Sequence, residues 1–152
     1  MEVLSGKKAK ETLKEFTTAI SSKGCEGSWL EAAEAQFGEK MTLSGNLNQA
    51  LYTFQEFAKD ASRGDLRALP SYGWAMASFG RKPIQLSVRE LSPTQIRRLL
   101  ILGGSDYYFF PSGVKWLFVI CHHEELHLYG KELIGFFRKK LRGDLRKSPP
   151  RR

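Results

Sequence analysis

The feature that most restricts the fold of this chain is a change in the period of its apolar residues. Leu47, Leu51, Phe54 and Phe57 recur at intervals of three and four, which lines one face of a helix reaching about Ala61. Beyond Tyr72 that period is lost. Tyr72 to Phe79 and the alternating Ile84, Leu86 and Val88 flank Gly80-Arg81-Lys82-Pro83, the pattern of a β-hairpin. Tyr107 to Phe110 and Val114 to Cys121 flank Pro111-Ser112-Gly113, and their aromatic and β-branched content predicts two more strands. Helical segments followed by strands point to the α+β class, with N-terminal helices packed on a small antiparallel β-meander.

Further helices follow from spacing and capping. Ala9, Leu13, Phe16 and Ile20 predict a helix over residues 7–22 with Ser5 as N-cap. Ser28 with Glu31 three residues on forms a capping box that opens Trp29 to Phe37. Ser92-Pro93 opens another helix whose face is Ile96, Leu99 and Leu100, ended by Gly103-Gly104. Leu133, Phe136, Phe137 and Leu141 share one side of a closing amphipathic helix from about Glu132. The chain has 152 residues, so one domain is expected, over 1–141, followed by a basic, flexible tail over 142–152.

Cys25 and Cys121 form neither a CxxC pair nor the cysteine ladder of a secreted scaffold, and the N-terminus turns charged at once. The longest apolar runs fall far short of the roughly 20 residues a transmembrane helix needs. A soluble protein of the cytoplasm or nucleus is the expectation.

The formal net charge is +8, and its placement matters more than its size. Arg138, Lys139, Lys140, Arg142, Arg146, Lys147, Arg151 and Arg152 face one acid, Asp144, so residues 138–152 hold +7 and the rest of the chain +1. These eight cations, with Arg81 and Lys82 at the hairpin turn, are the candidate nucleic-acid contacts, because clustered cations neutralise phosphates without reading sequence. Tyr72, Trp74, Tyr107 and Tyr108 are candidates for stacking on unpaired bases, set against the commoner fate of strand aromatics, which is burial. Lys139-Lys140-Leu141-Arg142 has the compact basic form that a nuclear-import receptor reads, and Ser148-Pro149 beside it has the form of a phosphorylation site.

His123-Glu124-Glu125-Leu126-His127 fits H-E-x-x-H, which on a helix puts two imidazoles on one face for zinc and a glutamate beside the metal-bound water. The segment resembles zinc peptidases over these residues and the following Leu128-Tyr129-Gly130 only. A third histidine of the metzincin pattern would fall at Leu133, and Trp116 to Ile120 runs straight into the motif as a strand, so Glu124-Glu125 also reads as the turn of a hairpin whose second strand is Leu126 to Tyr129. Gly103-Gly104 lacks the lysine of a phosphate loop, and no Gly-x-Ser-x-Gly elbow is present. Arg-Gly-Asp-Leu-Arg occurs at 63–67 and at 142–146, which reads as two chance Gly-Asp turns.

The sequence therefore ranks a small intracellular accessory or regulatory protein that associates with nucleic acid, RNA favoured, through its basic end and without a cofactor. Its compact, charge-rich, motif-poor character suits a virus-encoded accessory or matrix protein. The second reading is a protein or membrane-surface interaction module, in which Leu133 to Arg142 lies in an anionic membrane or a partner groove. A zinc metallohydrolase built on His123, Glu124 and His127 is the third.

Overall fold

The computed structural model describes residues 2–20, 29–61, 66–71, 84–86, 92–103, 106–121 and 125–147. In chain order the elements are β1 (Glu2–Val3), α1 (Gly6–Ala19), α2 (Trp29–Phe37), β2 (Met41–Ser44), α3 (Leu47–Ala61) and β3 (Leu66–Ser71). They continue as β4 (Ile84–Leu86), α4 (Pro93–Gly103), β5 (Asp106–Pro111), β6 (Leu117–Ile120), β7 (Glu125–Tyr129) and α5 (Lys131–Lys147). The class is α+β. The seven strands form a single antiparallel sheet in the order β1-β4-β3-β5-β6-β7-β2.

Both faces of this sheet are covered, which the strand sequences explain. In β5 and β6 every residue is buried, and after Asp106 the run is aromatic and aliphatic, so neither face is left for water. Alternation then divides the side chains. Tyr107, Phe109, Phe118, Ile120, Leu126 and Leu128 point to one face, where they meet Leu51, Phe54 and Phe57 of α3, Ile96 of α4, and Leu133, Ile134 and Phe137 of α5. Tyr108, Phe110, Leu117, Val119 and Tyr129 point to the other, against Phe16 and Ile20 at α1 and Trp29, Ala32 and Ala33 of α2. At the centre of the first layer Phe54 stacks on Phe118 with ring centroids 3.8 Å apart. At the centre of the second, Phe16 touches Trp29, Tyr108 and Phe110 at 5.1, 5.8 and 5.3 Å.

Several expectations change here. The N-terminal helices divide between the two faces of the sheet, a placement the sequence pattern does not specify: α3 lies on the opposite face from α1 and α2. Among the described strands only β5-β6-β7 form a consecutive meander; β3, β4 and β1 extend it on one side and β2 on the other. Tyr72 to Phe79, the first arm of the expected hairpin, lies outside the described residues, and β4 pairs instead with β1 and β3. The closing helix continues past Leu141 to Lys147.

One glycine is required by the geometry. Gly130 joins β7 to α5 at φ +103°, and a Cβ there would lie 3.0 Å from both the Lys115 carbonyl oxygen and Trp116 Cβ. Only glycine allows this sharp exit at that closeness.

Candidate functional site

The helical layer α3–α4–α5 is built from the inside outward. Leu133, Ile134 and Phe137 recur at helical spacing, so α5 turns them to the sheet and leaves Lys131, Arg138, Lys139 and Lys140 exposed. Among the described residues Arg138 and Lys139 form no ion pair. Lys140 is different, because its Nζ lies 2.9 Å from Glu56 Oε1 of α3 and 5.6 Å from the Phe136 ring centroid. Phe136 in turn packs on Phe57 at 5.4 Å. The phenylalanines that a membrane-surface or partner-groove reading would submerge are thus engaged within the molecule. Arg142, Arg146 and Lys147 follow within α5, whereas Arg81, Lys82, Arg151 and Arg152 lie outside the described residues.

The charge of this layer contrasts with that of its opposite. α5 contains seven basic and two acidic residues, α4 two basic ones, and α3 one basic and two acidic, a formal net of +6. In the opposite layer α1 contains four basic and two acidic residues and α2 two acidic ones, a net of zero.

Of the four aromatics considered for stacking, Tyr107 and Tyr108 are buried core residues at 3% and 2% exposure, and Tyr72 and Trp74 lie outside the described residues. Sequence reasoning missed Tyr52, which is 62% exposed on α3. The signal was available, since Tyr52 falls off the Leu47, Leu51, Phe54, Phe57 stripe and so must face away from the core.

The described part of the H-E-x-x-H segment, residues 125–127, is strand and not helix. β7 begins at Glu125 and pairs with β6 through Val119↔His127 and with β2 through Thr42↔His127, so the hairpin alternative describes residues 125–129. His127 therefore lies on a strand and not on a helix, and His123 and Glu124 lie outside the described residues. Among the described residues no group of three His, Cys, Asp or Glu side chains is placed to hold a metal ion. His127 is 6% exposed, with Nε2 3.1 Å from Glu125 Oε1 and Nδ1 3.5 Å from Thr42 Oγ1. A neutral ring satisfies both, Nε2–H donating to the carboxylate and Nδ1 accepting from the hydroxyl. Burial lowers its pKa below the ordinary 6.5, Lys40 adds to the shift, and Glu125 and Asp106 oppose it.

Two concavities lie among the described residues. A polar cleft of about 280 Å³ lies between α1 and strands β3 and β4, where Lys8, Glu11, Thr12 and Gln85 surround the 3.3 Å Arg67–Glu15 ion pair. A more apolar groove of about 160 Å³ runs between the β2–α3 turn and α5, floored by Leu43, Ala50 and Phe137 with Lys140 at its rim. No helix among the described residues is long and apolar enough to cross a membrane. No protein-family model, no characterised protein and no solved structure matches this chain.

Proposed function

We propose that this chain is a nucleic-acid-associated protein, with RNA the favoured partner, acting as an accessory or regulatory factor rather than as a catalyst. The observation that carries the reading is the segregation of charge, with +6 on the α3–α4–α5 layer against zero on the α1–α2 layer. A helix held by its apolar face presents its cations at fixed spacing, which lowers the entropy lost when they contact phosphates. The segment Lys139-Lys140-Leu141-Arg142 is also proposed as the stretch a nuclear-import receptor would read.

The test is the salt dependence of RNA binding by the full chain and by a variant with Arg138, Lys139, Arg142, Arg146 and Lys147 changed to Gln. Lys140 is kept, because it ties α5 to α3. Each phosphate contact removed should flatten the slope of log affinity against log salt by about 0.7 for single strands and 0.9 for duplexes. The variant should lose most of its binding and any nuclear accumulation while melting as a folded protein. Unchanged affinity together with an unchanged slope would remove the basis of the proposal.

A further inference from the structure

We infer that the outer surface of the α3–α4–α5 layer takes single-stranded nucleic acid, with an unpaired base stacked on Tyr52 between two cationic helices. This rests on the nucleic-acid reading above and names the form of the ligand. Among the described residues Tyr52 is the aromatic ring left largely in solvent, on a helix that buries Phe54 and Phe57 a few positions away. Helix geometry sets it on the outward ridge of α3, one turn after Asn48 and one turn before Glu56.

Those two neighbours are the points at which the flanking helices are fastened. Arg97 of α4 donates from Nε to Asn48 Oδ1 at 2.9 Å, and Lys140 of α5 pairs with Glu56 Oε1 at 2.9 Å. The ring therefore stands in the middle of the layer, with the arginines of α4 on one side and the basic face of α5 on the other. The Lys140 pair also neutralises Glu56, the acid nearest the ring on this ridge. Lys59, further along the same ridge, Arg98 on α4 and Lys139 on α5 are exposed and make no ion pair among the described residues.

This arrangement suits a single strand and not a duplex. Within a duplex the bases are stacked and their faces closed, so an exposed tyrosine finds nothing to stack on, whereas an unpaired base offers its face and leaves its flanking phosphates free to meet cations. Breadth argues the same way. A major groove is about 12 Å wide and admits one helix, while three helices side by side on a sheet, at spacings of about 8–10 Å, form a platform too broad to enter it.

The experiment measures anisotropy of a labelled single-stranded RNA of about 12 nucleotides, and of the same sequence as a duplex, with the full chain and its Tyr52→Ala and Tyr52→Phe variants. Wild type should bind the single strand more tightly than the duplex at equal salt. Tyr52→Ala should weaken single-strand binding by roughly five- to 150-fold, the range that base–aromatic stacking spans. Its salt slope should not change, since no phosphate contact is removed, and its duplex binding should hardly move. Tyr52→Phe should bind as wild type. If wild type shows salt-dependent binding but Tyr52→Ala matches it on the single strand, or the two forms are bound equally, the stacking inference fails and the charge-based reading stands. If wild type binds neither form with a salt slope, both fail.

Discussion

The α1–α2 layer and the α3–α4–α5 layer cover opposite faces of one sheet, yet they distribute polar groups in opposite ways. Beneath α1 and α2 lie the buried polar residues among those described, Thr12, Asp106 and His127, together with the Tyr129 hydroxyl that donates to the Leu30 carbonyl at 3.3 Å. Outside, the helices of that layer carry no net charge. Beneath α3, α4 and α5 the core cluster is apolar, with the rings of Phe54, Phe109, Trp116, Phe118 and Phe137 in mutual contact. Outside, those helices carry +6. That core holds no buried carboxylate or histidine among the described residues, its one phenol being Tyr107, so the layer can keep its exterior cations uncompensated at little structural cost. The pH dependence of stability should therefore arise on one side of the sheet and the salt dependence of binding on the other.

The largest expected effect separates the layers directly. Phe54→Ala removes a ring stacked at 3.8 Å on Phe118 and should cost about 3–5 kcal/mol, read from the urea midpoint, and Phe16→Ala should cost a similar amount on the opposite face. The two should differ in function. Under conditions where both variants remain folded, Phe54→Ala should weaken RNA binding by loosening α3 under the cationic surface, and Phe16→Ala should leave it alone. Equal losses of binding would show that the layers do not act separately.

Gly130→Ala comes next, at about 1–3 kcal/mol, because a methyl group would press on Lys115 and Trp116 at a positive φ. The position sets where α5 leaves the sheet, so the damage should spread to binding as well as to the thermal midpoint.

How much of this was legible depended on whether a segment carried its own signal. α2 and α3 were readable to their ends, since a capping box and a long apolar stripe are local properties of the chain. α4 was equally clear, and the Gln95 amide does donate to the Ser92 hydroxyl at 3.2 Å. β2 was not, because Met41-Thr42-Leu43-Ser44 is four residues long and acquires its strand identity from pairing with β7. β3 was hidden by Pro70, a residue that argues against an interior strand. The structure accommodates it because β4 pairs only with Leu66, Arg67 and Ala68, so on that side nothing described requires an amide hydrogen at position 70. The charge cluster was visible in the sequence, but its placement on a helix beside α3, with Tyr52 as its aromatic neighbour, depends on tertiary packing.

The third prediction concerns pH and the α1–α2 side. The His127 pKa is lowered in the folded chain by burial, and returns to its ordinary 6.5 on unfolding. Below that value the unfolded state takes up a proton that the folded state refuses, so stability should fall as pH drops from 7 through 6.5 and below. Urea midpoints at pH 7.5 and 5.5 should converge in His127→Gln, which keeps a polar group near Thr42 and Glu125 without titrating. RNA salt slopes taken over the same interval should follow the α5 cations and not His127. A wild-type midpoint that rises on acidification would reverse the sign and place the titrating group elsewhere.

The smallest effect tests the boundary between structure and function within the cationic layer. Lys140 and Glu56 are 44% and 56% exposed, so their 2.9 Å pair is screened by water, and Lys140→Ala should cost under about 1 kcal/mol, less still in high salt. Stability alone would not separate the role of this pair from that of any surface contact. Glu56→Gln does, because it removes the acid nearest Tyr52 while keeping a hydrogen-bonding side chain for Lys140. It should lower the urea midpoint slightly and at the same time strengthen single-strand RNA binding, since the layer gains one unit of net positive charge and Lys140, held by a neutral amide in place of a carboxylate, turns more readily to phosphate. Opposite signs in the two measurements mean that the pair restrains the cationic surface it helps to assemble. Weakening of both would mean that Glu56 acts only as a fastening for α5, and the surface around Tyr52 would then owe its cations to Arg98, Lys59 and Lys139 alone.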